Sequence, residues 1–369
     1  MRAFLRDRFG ACPARRARLC LHRATASAAL VLGAGFGAIF GTVFGLSTAL
    51  AQTAAPADAD AAAAAPTAAG ALYRIEPRPA QPSPASADAM LLGAAWAGER
   101  AVGVGERGTV LLTDTGARTV VPADEVPLDA TLTAVHFVDV RRGWAVGHWG
   151  VVLATDDGGQ RWTRQRLDLT QDRPLFAVHF SDAEHGVAVG LWSLVLVTDD
   201  GGRHWREVEL APPPGARRAD LNLLSLFADR QGRLYATAER GMVLRSDDRG
   251  GSWRYLDTGY RGSLWSGAAL ADGTLLVGGQ RGSLWRSADA GATWQAIDSG
   301  GKGSITAVAV QGDEVAVVGL DGHVAYSSDG GRSFRAAPRD DRLTLTAALP
   351  AGPGRWLFGS RSGWVAAAR

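Results

Sequence analysis

The stretch Thr155-Asp156-Asp157-Gly158-Gly159-Gln160-Arg161-Trp162 has the form Ser/Thr-x-Asp-x-Gly-x-x-Trp. The same frame returns at 198–205, 246–253 and 287–294, and at 327–334 with Phe in the last place. Each fixed residue has a mechanical use. The third-place acids, Asp157, Asp200, Asp248, Asp289 and Asp329, can accept hydrogen bonds from backbone N–H groups ahead of them in a tight turn. The glycine adopts a backbone angle that a side chain resists. The terminal rings, Trp162, Trp205, Trp253, Trp294 and Phe334, can each plug down on the next sheet, an indole burying about 200 Å². Turn chemistry accounts for every fixed place, so the frame is a structural hairpin repeated five times.

Ahead of each frame lies a second short turn. It reads Gly105-Glu106-Arg107-Gly108, Gly147-His148-Trp149-Gly150, Gly190-Leu191-Trp192-Ser193, Ala238-Glu239-Arg240-Gly241, Gly279-Gln280-Arg281-Gly282, Gly319-Leu320-Asp321-Gly322 and Gly359-Ser360-Arg361-Ser362. Seven copies at intervals of 40 to 48 residues define a repeat architecture. Within one unit, 132–169, four short apolar or alternating runs are separated by Gly-rich turns, and helical periodicity is absent. The expected fold is all-β: a seven-bladed β-propeller of four-stranded blades with Asp-frame hairpins, whose ring leaves few free sheet edges. The last unit supplies three strands, and 71–77 is expected to add the fourth, with Tyr73 near the place of a frame aromatic.

The domain organisation follows from composition. Residues 1–51 carry seven arginines, then an uncharged apolar run from Ala24 ending in Ala49-Leu50-Ala51. That is the pattern of a secretory signal, with an uncleaved membrane anchor as the alternative. Residues 52–70 are Ala, Pro, Thr and Asp and read as a flexible linker; 71–369 is the propeller. Both cysteines, Cys12 and Cys20, fall in the signal, so the exported part has no disulfide framework, thiolate nucleophile or Cys-based metal site. Past residue 51 the chain holds 32 basic and 36 acidic residues, a net −4, which gives no global bias toward nucleic acid. A periplasmic monomer with no cofactor and no metal is expected.

The chemistry should then lie in local arrangement. In a four-stranded blade the Asp frames join strands three and four on one face. The turns between strands two and three share the opposite face with the links between blades. Arg107, Trp149, Trp192, Arg240, Arg281 and Arg361 recur in those inner turns, and the links add Arg173, Arg217, Arg218, Arg261, Lys302 and Arg342. Guanidinium groups suit bidentate carboxylate or phosphate contacts and stack on aromatic rings. These residues are the candidate partner-binding set, since loops on a rigid scaffold commonly carry binding.

Signs of an enzyme are thin. Tyr73-Arg74-Ile75-Glu76-Pro77 resembles a sialidase motif interrupted by Glu76, no Tyr–Glu nucleophile pair accompanies it, and sialidase propellers have six blades. Asp340-Asp341 sits between arginines in a link, and His136 and His179 hold the same place in two strands, a packing pattern. No catalytic residue is expected.

Consecutive Asp frames, Gly143-Trp144-Ala145-Val146-Gly147 followed by a tight turn, seven units and an export signal together resemble the photosystem II stability/assembly factor family. The resemblance runs from about Tyr73 to the C-terminus and is strongest at 143–162 and 187–205. It implies a non-catalytic assembly factor that holds a newly made membrane polypeptide through an arginine-rich patch, here an envelope or inner-membrane protein. A sialidase-like glycosidase or lectin is the rival, and would need two acids about 5–9 Å apart facing the arginines.

Overall fold

The computed structural model describes residues 77–81 and 84–366, all within the compact unit Gly70–Arg369. The expected signal at 1–51, the linker at 52–70 and the strand at 71–76 lie outside the described residues. Seven antiparallel sheets follow one another at 91–122, 132–166, 175–207, 223–257, 264–298, 305–336 and 345–366. Six have four strands in chain order, and the last has three among the described residues. The first strand of each sheet touches the first strand of the next, and Leu345–Pro350 touches Leu91–Ala97. The chain is a seven-bladed β-propeller. No α-helix occurs among the described residues; the helical pieces are short 3-10 turns.

The blades follow from the residue pattern. Second strands such as Gly143–Gly147 and Gly186–Gly190 are buried on both faces and read as continuous apolar runs. Outer strands such as Thr163–Arg166 and Arg206–Glu207 are polar and largely exposed. The core is accordingly a ring of apolar layers between neighbouring blades, for example Val102, Leu112, Leu153 and Trp162 between the first two. Phe180 stacks flat on Trp144 between the second and third, at 3.5 Å between ring centroids.

In all five frames the first-place hydroxyl and the seventh-place N–H donate to the Asp carboxylate. Thr155 Oγ1 donates to Asp157 Oδ1 at 2.9 Å, and the N–H groups of Gln160 and Arg161 donate to that oxygen at 2.9 and 3.0 Å. The fifth-place glycine is left-handed, φ 89 at Gly159, and a Cβ there would meet Val102 of the preceding blade at 3.2 Å. The frame aromatic therefore packs backward, blade onto preceding blade. Its burial is uneven: Trp162 is buried, whereas Trp205, Trp253, Trp294 and Phe334 are half-buried.

Every first strand begins with a bulge, such as the one between Leu132 and Ala134. Where the extra residue is threonine its hydroxyl ties one blade to the next: Thr133 Oγ1 to Leu175 O, and Thr306 Oγ1 to Leu345 O, both at 2.6 Å. Thr346 Oγ1 donates to Leu91 O at 2.6 Å and so joins the last blade to the first. Trp96 Nε1 donates to Pro350 O at 2.9 Å across the same seam. These bonds close the ring among the described residues. Further along, the Asp129 N–H donates to Arg78 O at 2.8 Å and the Ala80 N–H to Val126 O at 3.0 Å. Residues 78–80 thus run along the link between the first and second blades.

Candidate functional site

The turns between second and third strands form one rim. Their N–H groups are captured by the links, which places turns and links on a single face. In the second blade His148 N–H donates to Thr131 O at 3.0 Å and Trp149 N–H to Asp172 Oδ1 at 2.9 Å. In the third, Trp192 N–H donates to Asn222 Oδ1 at 3.1 Å and Ser193 N–H to Leu221 O at 2.7 Å. In the fifth, Arg281 N–H donates to Ser304 Oγ at 3.1 Å.

The residue at each turn's tip is held in left-handed backbone. Arg107, Trp149, Trp192, Arg240, Arg281 and Asp321 have φ between 52 and 59. None is glycine, although a side chain there costs about 1–2 kcal/mol. A glycine usually follows, because a Cβ there would strike the next link: 2.2 Å from Leu128 O at Gly108, and 2.1 Å from Tyr260 O at Gly241. The third blade has Ser193 at that place, φ 58, so two consecutive non-glycine residues are left-handed.

Arg361 is out of register with the other tips. Its N–H donates to Thr344 O, the bond that His148 makes to Thr131 O, and Ser360 pairs with Leu345 as Gly147 pairs with Leu132. It occupies the place of His148, one residue before the tip; it is exposed in the same turn. The sequence alignment on Gly359 hid this, because Ser360 is the residue that structurally matches the other blades' glycine.

The rim therefore reads Arg107, Trp149, Trp192, Arg240, Arg281 and Asp321 from blade one to blade six, two indoles flanked by arginines. Trp192 is 61% exposed, and Trp149 is half-buried. The basic groups divide by pairing. Arg173 makes two bonds to the Glu207 carboxylate, at 2.8 and 3.1 Å. Arg261 pairs with Asp257 at 3.1 Å, and Arg240 approaches Asp220 at 3.6 Å. Among the described residues Arg107, Arg281, Lys302, Arg342 and Arg361 are exposed and enter no ion pair. The sequence reading missed the residues that hold the tips, Asp172, Asn222 and Ser304. Each lies just ahead of a blade's first strand, and that placement was the available signal.

The carboxylates with displaced titration lie mostly in the turns of the opposite face, with Asp168 and Asp341 in the links of the rim face. Every described carboxylate with a displaced pKa is pushed down. The Thr293 hydroxyl and N–H hold Asp289 down to about 2, and the Arg339 guanidinium and Leu343 N–H hold Asp341 there. No group of three or more His, Cys, Asp or Glu among the described residues is placed to hold a metal.

Fold and rim define a class: an Asp-frame seven-bladed propeller carrying arginines and indoles on one rim. The family model described as Photosynthesis system II assembly factor YCF48 matches residues 117–254 and 165–317, together more than half of the chain. The chain belongs to that family. Two solved structures share the fold. The structure of YCF48 bound to D1 peptide aligns with a TM-score of 0.62 at 19% identity, covering 75% of this chain and 92% of that one. YCF48 from Cyanidioschyzon merolae aligns with a TM-score of 0.61 at 20% identity, covering 77% and 96%. No curated protein sequence matches.

Proposed function

We propose that this protein is an exported, non-catalytic assembly factor that holds a polypeptide segment of an envelope or inner-membrane protein on its arginine–indole rim. The observation that carries the reading is the set of arginines and indoles in left-handed backbone at successive tips. Glycine would relieve the strain at each, so retaining large side chains there points to a use beyond folding. Arg107 and Arg240, on the blades that flank the two indoles, suit an acidic or carboxylate-bearing peptide. Family membership supports an assembly role, and a related propeller has been solved with a bound peptide. The expected setting is the periplasm, as a monomer.

The test replaces Arg107, Arg240, Arg281 and Arg361 together with Ser. The variant should keep its melting temperature and lose capture of a partner from the envelope fraction. Wild-type capture should weaken with added salt. Undiminished capture by the folded variant would remove the rim from the mechanism. Turnover of a sialoside or other glycoside, abolished by one carboxylate substitution, would replace the scaffold reading with the glycosidase one.

A further inference from the structure

The residue at each first-strand bulge divides the ring. It is threonine in the second, sixth and seventh blades, where the hydroxyls of Thr133, Thr306 and Thr346 bond to the next blade. In the first, third, fourth and fifth it is apolar: Leu92, Phe176, Leu224 and Trp265. All four are half-buried, and none belongs to the apolar layers between neighbouring blades. Trp265 Nε1 has no acceptor among the described residues, and it is not shut away as Trp205 Nε1 is.

First strands surround the central channel of a propeller, and each starts from a link on the rim face. Leu264 pairs with Gly279, two residues before the Arg281 tip, and Trp265 follows Leu264. Phe176 and Leu224 hold the same place below the Trp192 and Arg240 tips. Three consecutive blades thus set an apolar side chain at the channel mouth, one step inside the rim, beneath one indole and two guanidiniums. On the sixth blade both features end together, with Thr306 at the bulge and Asp321 at the tip.

The charges around this arc favour an anion. Arg281 and Lys302 are exposed and enter no ion pair among the described residues. Arg240 only approaches Asp220, at 3.6 Å. Glu239, beside it, is engaged by the Asn222 N–H and Nδ2 at 3.1 and 3.2 Å.

We propose that the channel mouth across the third to fifth blades is an apolar seat, and that the rim's occupant is a peptide segment with an apolar side chain between acidic residues. The inference rests on the reading of the rim as a peptide site and adds what that peptide must contain. Its apolar side chain enters the mouth against Phe176, Leu224 and Trp265, while the flanking carboxylates reach Arg240 and Arg281. Burying that side chain supplies affinity that water-exposed ion pairs alone would not. The seat is recessed behind the tips, so a protruding segment reaches it and a flat protein surface does not.

The chain itself supplies the control. Threonine is the residue at this place in three blades, so Phe176→Thr, Leu224→Thr and Trp265→Thr together should leave the melting temperature intact. The probe is a fluorescein-labelled peptide, Gly-Asp-Asp-Phe-Leu-Asp-Asp-Gly, titrated into the full chain by anisotropy. A second peptide carries Ser-Ser in place of Phe-Leu. The first should bind saturably, and the second at least about tenfold more weakly. The threonine variant should bind the first peptide as weakly as the wild type binds the second. Leu224→Thr alone should move the same way, and it serves if the triple variant melts early. The quadruple arginine-to-serine rim variant should lose both peptides. Absence of saturable binding by the first peptide overturns the proposal. So does equal affinity for the two peptides, or an unaltered affinity in the folded threonine variant. Failure of the rim reading looks different: the arginine variant would then keep the wild-type affinity for both peptides.

Discussion

His136 and His179 hold equivalent places in the first strands of the second and third blades, with ring centroids 4.5 Å apart and planes inclined by 55°. The Phe180 N–H donates to His136 Nδ1 at 3.3 Å, so that nitrogen is an acceptor and the ring is neutral. Burial, then the neighbouring His179, pushes His136 down to about 3; burial pushes His179 down to about 4. Both ordinary values are 6.5. Below that value the unfolded chain binds protons that the folded one refuses, so stability rises with pH. It is complete above about pH 6.5 and lost progressively as the pH falls through the folded values. Melting temperature should therefore drop between pH 6.5 and 4, and replacing both histidines with glutamine should flatten that slope. An unchanged profile would mean that other groups govern acid unfolding.

The frame aromatics differ in their hydrogen bonds, and the difference is measurable. Trp162, Trp253 and Trp294 each donate through Nε1 to the frame glycine's carbonyl at 3.0 Å. Trp205 Nε1 is buried without an acceptor. Trp253→Phe should cost about 1 kcal/mol for the lost bond. Trp205→Phe removes an unmet donor and should be neutral or stabilising, and blade six already uses Phe334 in this place. Trp162→Ala should cost about 3–5 kcal/mol, as expected for a fully buried indole. Urea unfolding of the three variants checks the order.

Blade number and frame geometry were legible because each rests on short-range chemistry. Asp, Gly and Trp at fixed spacing leave one turn, and seven turns leave one ring. The rim face was legible for the same reason. What escaped depends on contacts distant in the chain. Closure by Thr346 and Trp96 joins residues more than 250 places apart, and nothing near either residue marks its partner. The register of Arg361 was misread because Ser360 replaces a glycine, leaving Gly359 as a false landmark. Uneven burial of the frame aromatics reflects what the preceding blade presents to each, which one frame's sequence does not contain.

Ring closure gives a third prediction. Thr346 and Trp96 both bond across the seam between the last and first blades. Thr346→Val keeps the shape and removes the donor, leaving Leu91 O buried and unmet at a cost of about 1–3 kcal/mol. The same change at Thr306 breaks an equivalent bond between blades joined by a direct link. Hydrogen exchange should separate the two. In Thr346→Val the strands at 91–97 and 345–350 should lose protection together; in Thr306→Val the loss should stay at 305–311 and 345–350. Matching patterns would show that the seam is no weaker than any other junction.

The last prediction concerns strain at the rim. Arg281 sits at φ 59 with its N–H fixed by Ser304, and its guanidinium is free of ion pairs. Arg281→Gly relieves about 1–2 kcal/mol of left-handed strain. It also adds about 0.5–1 kcal/mol of unfolded-chain entropy. The melting temperature should hold or rise slightly, and the same balance applies to Arg107→Gly. Asn tolerates this backbone better than most residues, so Arg281→Asn should behave similarly. If the tips serve binding, these stability-neutral changes should still weaken partner capture. Arg261→Gly is the control, since Arg261 is already paired with Asp257 and should matter less. Measured together, melting temperature and capture separate the two roles. A marked loss of stability in Arg281→Gly would mean the arginine is retained for folding, and the argument from strain to binding would fail at that tip.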